Sequence, residues 1–161
     1  MILNDDQLAI QELAKRFSSE QLRPHYQKRE TSTVIDHELC RSMGSLGLIG
    51  ADLPEIYGGM GLRSVSTGLI IEEIAYGDFN VSYVQLLASL MGMIIHRNAR
   101  TELAHQWVPK LISGDALVGL GLTEPRGGSD AANLQVKARK LGDEYIISGE
   151  KTSISFSEQA D

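Results

Sequence analysis

The residues best suited to chemistry lie in one glycine-rich stretch, residues 119–133. This stretch supplies two hydroxyl groups, from Thr123 and Ser129, and two carboxylates, from Glu124 and Asp130. Glycine lets the backbone turn so that adjacent N–H groups form a concavity that binds anions. We therefore predict a strand that leads into a loop, in which exposed backbone N–H groups at Gly127, Gly128 and Ser129 bind a phosphate-bearing ligand. The alternative is a plain surface turn, because Gly-Gly-Ser-Asp runs are common in turns.

The composition is that of an ordinary globular protein and excludes several classes of function. The 161 residues are 42% hydrophobic and 22% charged, which is enough for a core and too apolar for disorder. The net charge of −6 argues against a nucleic-acid partner, and no zinc- or calcium-ligand pattern predicts a metal site. Cys40 is the single cysteine, and the amino terminus lacks a signal-peptide pattern, so a reducing, cytoplasmic location is expected.

Two helices with capping signals are predicted in the first 50 residues. Asn4 and Gln7 have the spacing of a capping box, and apolar residues then recur every three or four positions. We expect Pro24 to end this segment, because its ring disfavours helical geometry in the preceding residue. The second helix is predicted to begin after Asp36 as its N-cap and to end at Gly47.

Residues 47–62 predict a shaped, glycine-rich loop with apolar anchors at Leu48, Ile49, Leu53, Ile56 and Tyr57, and three more helices are predicted after it. Their approximate ranges are 65–77, 80–97 and 101–113, the last with Thr101 as its N-cap. The helix at 80–97 is apolar nearly all round, which indicates burial on most sides. We expect it to be too short and too polar for a membrane span.

The sequence pattern then changes from that of helices to that of β-strands. After an apolar run at 116–122, residues 135–140 alternate between polar and apolar, as a half-buried strand does, and 145–148 predicts its hairpin partner. About 45 residues are too few for a closed β-sandwich, which takes about 100. The predicted fold class is mainly α: a helical domain at 1–115 is followed by the first strands of an incomplete β-domain at 116–161.

The order of residues in the glycine-rich stretch resembles the first signature of the acyl-CoA dehydrogenase family. That signature reads small, aliphatic, Thr or Ser, Glu, two variable, small, Gly, Ser or Thr, Asp, and residues 121–130 match every position. Asn133 departs from the pattern, which usually has Gly, Ser or Ala there. Residues 47–62, 72–75 and 142–151 are also similar to family motifs at family spacing, so the resemblance extends over essentially the whole chain.

This resemblance implies the amino-terminal helical bundle of the fold, a middle β-domain, FAD in the crevice, and a carboxy-terminal bundle that we expect to be absent from this chain. The Thr123 hydroxyl would bond the pyrimidine side of the isoalloxazine, with the N–H groups of Leu122 and Thr123 beside it. Ser129 would serve the phosphate and pantetheine region. The implied cofactor residues are Leu120, Leu122, Thr123, Gly128, Ser129, Ser153 and Ser155.

The second flavin segment, at residues 153–155, departs from the family pattern. Most members have Trp at the position of Ser153 and Thr at that of Ser155. Ser155 keeps a hydroxyl for a contact near flavin N5, whereas Ser153 removes an aromatic wall and with it the usual shielding of N5. We interpret this change as a mark of a subgroup with an unusual acyl group, such as a ring-bearing one.

The implied reaction is α,β-dehydrogenation of an acyl-CoA thioester, in which a carboxylate removes the α-proton while the β-hydride passes to flavin N5. The family's base is a Glu of the carboxy-terminal bundle, so no catalytic residue and no turnover are expected for this chain alone. Glu124 and Asp130 are expected to hold the loop. The implied substrate contacts, which could equally be plain core, are Asn80, Val81, Val84 and Ala88, with Ser129 at the cofactor–substrate junction.

Two other functions stay open at this stage. A flavin oxidase or monooxygenase of the same superfamily remains possible because of Ser153, and a non-catalytic module that binds acyl-CoA or a protein partner would keep only the fold. The partners implied for the full-length enzyme are an acyl-CoA substrate, an electron-transfer flavoprotein and further copies of itself. No nucleic-acid or membrane partner is predicted.

Overall fold

The computed structural model describes residues 2–161, in which helices precede a single β-hairpin. The helices are α1 Asp5–Phe17, α2 Tyr26–Glu30, α3 His37–Ser45, α4 Ser64–Gly77, α5 Phe79–Asn98 and α6 Thr101–Ser113. The strands are β1 Lys137–Leu141 and β2 Glu144–Ser148. The predicted fold class, a mainly helical chain that ends in a few strands, is confirmed. The domain boundary at 115 stays a prediction.

The first helix begins as predicted but is followed by further helical turns. The Asn4 side chain accepts a hydrogen bond from the Gln7 N–H at 2.9 Å, and the Gln7 side chain accepts one from the Asn4 N–H at 3.0 Å. A wide π-turn at Ser18–Leu22 and a tight 3₁₀ turn around Pro24 then lead into α2. The expectation that Pro24 ends the helical segment is therefore wrong. Pro24 lies in the first turn of a new helical piece, where a missing N–H costs little.

The helices α3 and α6 approach each other closely. Asp36 caps α3 as predicted, since its carboxylate accepts N–H groups of the first turn. A Cβ added to Gly44 of α3 would lie 2.3 Å from the carbonyl oxygen of Ser113 in α6. The N-cap of α6 is Arg100, so the prediction that Thr101 caps this helix is wrong. Thr101 already has helical geometry, and an N-cap must stay extended.

The start of α5 is fixed by a buried ion pair. The Asp78 carboxylate, 4% exposed, accepts the N–H groups of Asn80 and Val81 at 3.1 and 3.4 Å. Its other oxygen accepts a hydrogen bond from Arg29 Nε at 2.6 Å, and Arg29 also donates to the carbonyl of Leu22. A buried charge needs such partners to offset its lost hydration. The pair therefore fixes the turn after α1 to the first residues of α5.

The long helix α5 packs against both α4 and α6. Its 20 residues are long and apolar enough to span a membrane, and α5 is the one helix within residues 2–161 that passes this test. The expectation that it is too short and too polar for a span is therefore wrong. Length and composition alone are weak evidence for a membrane span, because the core helix of a soluble protein can have both. Ser82, Gln85 and Ser89 of α5 are buried, with Gln85 Nε2 donating to Ser89 Oγ at 3.3 Å. We interpret α5 as a core helix.

The loop at 47–62 is shaped by apolar anchors, as predicted. Leu48, Ile49, Leu53 and Tyr57 are buried, whereas Ile56, also expected to be an anchor, is 70% exposed. The main core contains Leu48 and Ile49 together with the inner faces of the long helices. Leu53 and Tyr57 pack with α6 in a second apolar cluster. The loop therefore joins the helices as part of the core.

The β-hairpin forms at the predicted place but is not half-buried. The strands pair antiparallel from Lys137↔Ser148 to Leu141↔Glu144, around a two-residue turn. All ten strand residues are exposed on both faces, so the prediction of a half-buried strand is wrong. The strand predicted to lead into the loop of residues 119–133 is also absent from the described part of the chain. A strand needs a neighbour to pair its backbone groups, and the hairpin does not offer one there.

Candidate functional site

The glycine-rich loop is held by a nearly buried carboxylate. Glu124 is 5% exposed and accepts hydrogen bonds from Lys151 Nζ at 2.9 Å and from the N–H groups of Gln135 and Val136 at 2.6 and 2.9 Å. These donors, the Lys151 ammonium first, lower the pKa of Glu124 to about 2. Lys151 Nζ also donates to the carbonyl of Leu122 at 3.0 Å. Glu124 and Lys151 therefore join both ends of the loop to the residues that follow β2.

The second carboxylate of the loop also has a local partner. Asp130 accepts a hydrogen bond from Asn133 Nδ2 at 2.7 Å, and its carbonyl accepts the Asn133 N–H at 3.0 Å. Both carboxylates thus stabilise the loop, as expected. Sequence reasoning assigned no role to Lys151, which lies 27 residues from Glu124. No spacing rule links two residues so far apart, and the need of a buried carboxylate for a cation was the signal available.

The loop keeps backbone donors free beside the Thr123 hydroxyl. Within residues 2–161, the N–H groups of Thr123, Gly128 and Ser129 have no hydrogen-bond partner. Gly128 lies against Thr123, since a Cβ added there would be 2.8 Å from Thr123 Oγ1. Two hydroxyls and three free N–H groups make this part of the loop an acceptor-binding surface.

Two other N–H groups, which were expected to face a ligand, are used inside the loop. The Leu122 N–H donates to the Leu120 carbonyl at 3.0 Å, and the Gly127 N–H donates to the Glu124 carbonyl at 2.8 Å. The expectation that Leu122 and Gly127 offer free donors is therefore wrong. The tight turns that shape the loop need these two bonds.

The second predicted flavin segment lies beside the first. The Thr152 N–H donates to the Thr123 carbonyl at 2.9 Å. Ser153 and Ser155 follow at once, and both are exposed. The Ser155 carbonyl oxygen lies 2.9 Å from the point that a Cβ on Gly119 would occupy. The structure therefore brings together two segments that are 30 residues apart in the sequence.

A cavity of about 320 Å³ adjoins the end of this second segment. Its walls are the connection between α2 and α3, the first turns of α5, and residues 156–159. Asn80, Val81 and Val84, three of the predicted substrate residues, line it. Ala88 does not line it and is buried in the core, and Ser129 lies apart on the glycine-rich loop. Val81 and Val84 belong to the core as well.

Cys40 also lines this cavity and is 1% exposed. Burial raises the pKa of the Cys40 thiol to about 11, and the nearby Asp36 adds to the effect. A thiol in this state is a poor nucleophile at neutral pH, because the thiolate is the reactive form. Within residues 2–161, no three His, Cys, Asp or Glu side chains are grouped so that they could hold a metal ion.

The helix α5 exposes an apolar stripe that sequence reasoning missed. Phe79, Leu86, Leu90 and Ile94 are each exposed although large and apolar. At 100° per residue they lie on the side of the helix opposite Val81 and Val84. The nearly all-round apolar pattern of α5 indicated burial on most sides, and such a pattern cannot show which side of the helix lacks a neighbour.

The comparison with known proteins decides the family. Residues 4–115 match the model of the family described as acyl-CoA dehydrogenase, N-terminal domain. The chain belongs to the acyl-CoA dehydrogenase family.

Individual relatives extend the match beyond residue 115. A probable acyl-CoA dehydrogenase of Bacillus subtilis is 36% identical over 155 residues, which cover 95% of this chain and 40% of that protein. Mitochondrial isovaleryl-CoA dehydrogenase of Bos taurus is 32% identical over 163 residues, 99% of this chain and 38% of that protein. A crystal structure of glutaryl-CoA dehydrogenase from Mycobacterium smegmatis in complex with FADH2 superposes with a TM-score of 0.92, at 31% identity, over 99% of this chain and 41% of that one.

The chain thus spans about 40% of the length of these relatives. The superposition includes the glycine-rich loop, the hairpin and the segment around Ser153, because it covers almost every residue. The exposed hairpin therefore adopts a backbone arrangement that solved structures also show.

Proposed function

We propose that this chain forms part of the FAD site and part of the acyl site of an acyl-CoA dehydrogenase, which converts an acyl-CoA thioester to its α,β-unsaturated form. The observation that supports this most directly is the glycine-rich loop, with its free N–H groups and the Thr123 hydroxyl, in a member of this family. When bound, FAD supplies the acceptor for the β-hydride.

The cofactor-binding residues proposed are Leu120, Leu122, Thr123, Gly128, Ser129, Ser153 and Ser155. Thr123 would donate from its hydroxyl and its N–H to the pyrimidine side of the ring, where negative charge collects on reduction. The free N–H groups of Gly128 and Ser129 suit the phosphates. The Leu122 N–H is already bonded, so Leu122 contributes its half-buried side chain. Ser155 retains the hydroxyl for a contact near N5.

The substrate-binding residues proposed are Asn80, Val81, Val84 and Ala88, with Ser129 at the junction with the cofactor. The cavity beside α5 supports this assignment for Asn80, Val81 and Val84, since all three line it. Ala88 lies behind this wall and would act only through packing. A volume of about 320 Å³ is at the small end for ligand sites, which favours a short acyl group.

We propose no α-proton base among these residues. Glu124 directly follows Thr123 in the sequence, but its three donors and its pKa of about 2 make it a weak base. Asp130 is bonded to Asn133. The chain alone is therefore expected not to oxidise an acyl-CoA.

The remaining assignments are proposals of the same kind. We propose a cytoplasmic location, an electron-transfer flavoprotein as electron acceptor and self-association in the full-length enzyme. The alternatives are a flavin oxidase or monooxygenase, favoured by the absence of an aromatic side chain at Ser153, and a non-catalytic module. Reaction of the reduced full-length enzyme with oxygen separates the oxidase from the dehydrogenase.

The test is an FAD titration of the purified chain, followed by visible absorption and flavin fluorescence. Thr123→Val removes the hydroxyl at constant shape and is expected to weaken FAD binding about 3- to 10-fold, the effect of one net hydrogen bond. Thr101→Val is the matched control, because Thr101 lies at the exposed start of α6. A wild-type chain that binds no FAD, or a Thr123→Val chain that binds it normally, would contradict the proposed site.

A further inference from the structure

The segment that follows the hairpin, residues 152–161, is linked to the α2–α3 connection by one glutamine side chain, while Phe156 packs against the main core. Gln159 Oε1 accepts a hydrogen bond from the Ile35 N–H at 2.6 Å, and Gln159 Nε2 donates to the Thr33 carbonyl at 2.9 Å. The amide thus pairs with the backbone of the α2–α3 connection in the way that a neighbouring strand would. These partners are more than 120 residues away in the sequence.

Both ends of the segment are anchored as well. At one end, the Thr152 N–H donates to the Thr123 carbonyl at 2.9 Å. At the other, the Asp161 N–H donates to the Leu117 carbonyl, and the Asp161 carboxylate accepts the Leu117 N–H, both at 3.0 Å. Between these anchors, residues 156–159 form part of the cavity wall.

The backbone between the anchors has an unusual conformation. Ser153 has φ of +55° and Phe156 has φ of +62°, in the left-handed region that residues other than glycine rarely adopt. Such residues persist only where the surroundings fix them. The two residues flank Ser155, so the anchors of the segment determine where the Ser153 and Ser155 hydroxyls lie.

We propose that Gln159 is a positioning residue. By joining the α2–α3 connection to residues 152–161, it holds Ser153 and Ser155 beside Thr123 and at the same time closes the wall of the cavity. This inference rests on the proposed function, in which Ser153 and Ser155 contact FAD. It adds that the cofactor segment and the cavity wall are one unit, which Gln159 links to the α2–α3 connection.

Amide hydrogen exchange of the chain tests the proposal without any ligand. In Gln159→Ala, exchange is expected to rise about tenfold at Ile35, which loses its acceptor, and also at Thr152, on the far side of Ser153 and Ser155. Glu158→Ala is the matched control, because Glu158 is exposed and its side chain has no hydrogen-bond partner within residues 2–161. A rise at Ile35 with unchanged exchange at Thr152 would show a purely local role and overturn the proposal.

A second variant and an FAD titration test the same role of Gln159 independently. Gln159→Glu retains the acceptor for Ile35 and removes only the donor to Thr33, so an intermediate rise at Thr152 is expected. If Gln159→Ala loses helical content, exchange at Thr152 in Gln159→Glu is compared with that of the wild type instead. FAD titration of the same variants should show weaker binding in the same order. A wild-type chain that binds no FAD contradicts the proposed function alone, because the exchange result still supports or overturns the role of Gln159.

Discussion

The close approach of α3 and α6 makes Gly44→Ala a sharp test of the packing behind the candidate site. A Cβ at Gly44 would lie 2.3 Å from the carbonyl oxygen of Ser113 and 2.4 Å from its carbonyl carbon. Ordinary contact begins near 3.4 Å, so the two helices would have to move apart by about 1 Å. The atoms in the way are backbone atoms, which cannot rotate aside as a side chain can.

The expected cost follows from two opposing effects. Overpacking of a well-packed contact costs about 1–3 kcal/mol, and the upper part of that range applies where backbone must move. Alanine is favoured over glycine in a helix by at most about 1 kcal/mol, and less in the last turn, where Gly44 lies. We therefore expect Gly44→Ala to lower the free energy of unfolding by about 2 kcal/mol. For a chain of this size that corresponds to a fall in Tm of about 4–8 °C.

Gly68→Ala is the matched control, because it makes the same chemical change with the opposite predicted sign. Gly68 lies exposed inside α4, and a Cβ there would meet no atom within 4 Å. This variant is expected to gain about 0.5–1 kcal/mol. Urea unfolding followed by circular dichroism measures both variants. Equal stabilisation of the two would refute the reasoning, since α3 and α6 would then have room for a methyl group.

Two further predictions concern titrating groups. Because Glu124 has a folded pKa of about 2, below its ordinary value of 4.5, it contributes stability above pH 4.5 that is lost as pH falls toward 2. Lys151→Met should therefore be less stable than wild type at neutral pH and should lose less stability between pH 4.5 and 2, as measured by urea midpoints. The control Lys140→Met, on the exposed hairpin, should match wild type at each pH. Burial of Cys40 should make its labelling by an aromatic disulfide reagent at pH 8 far slower in the native chain than in urea, and equal rates would contradict that burial.

Local signals in the sequence predicted the helices well, and failed where distant contacts decide. Asn4 and Asp36 were identified as caps because a cap bonds only to its own first turn. Pro24 was misread because a wide π-turn before it lets the chain resume a helix, and no local rule predicts that turn. The hairpin shows a similar limit, since alternation in residues 135–140 indicates that two faces differ and cannot say whether either one is covered.

In the candidate site, too, local sequence signals were sufficient for some residues, whereas others depend on distant contacts. The order of residues around Thr123 was sufficient to identify the family, because its motif is contiguous. Lys151 and Gln159, which hold that loop and the proposed second flavin segment in place, received no role from the sequence. Their partners lie 27 and more than 120 residues away, and only the fold brings them together.

The chemistry of Glu124 shows why position near a cofactor segment does not make a residue catalytic. A general base works best when its pKa is near the working pH, and an isolated carboxylate in an apolar pocket moves in that direction. Glu124 moves the other way, because one ammonium and two backbone N–H groups stabilise its charged form. The same bonds prevent it from reaching toward a substrate unless the loop unfolds. The carboxylate next to the proposed FAD site is therefore the residue that keeps the loop in shape, and in the proposed reaction a different group would remove the α-proton.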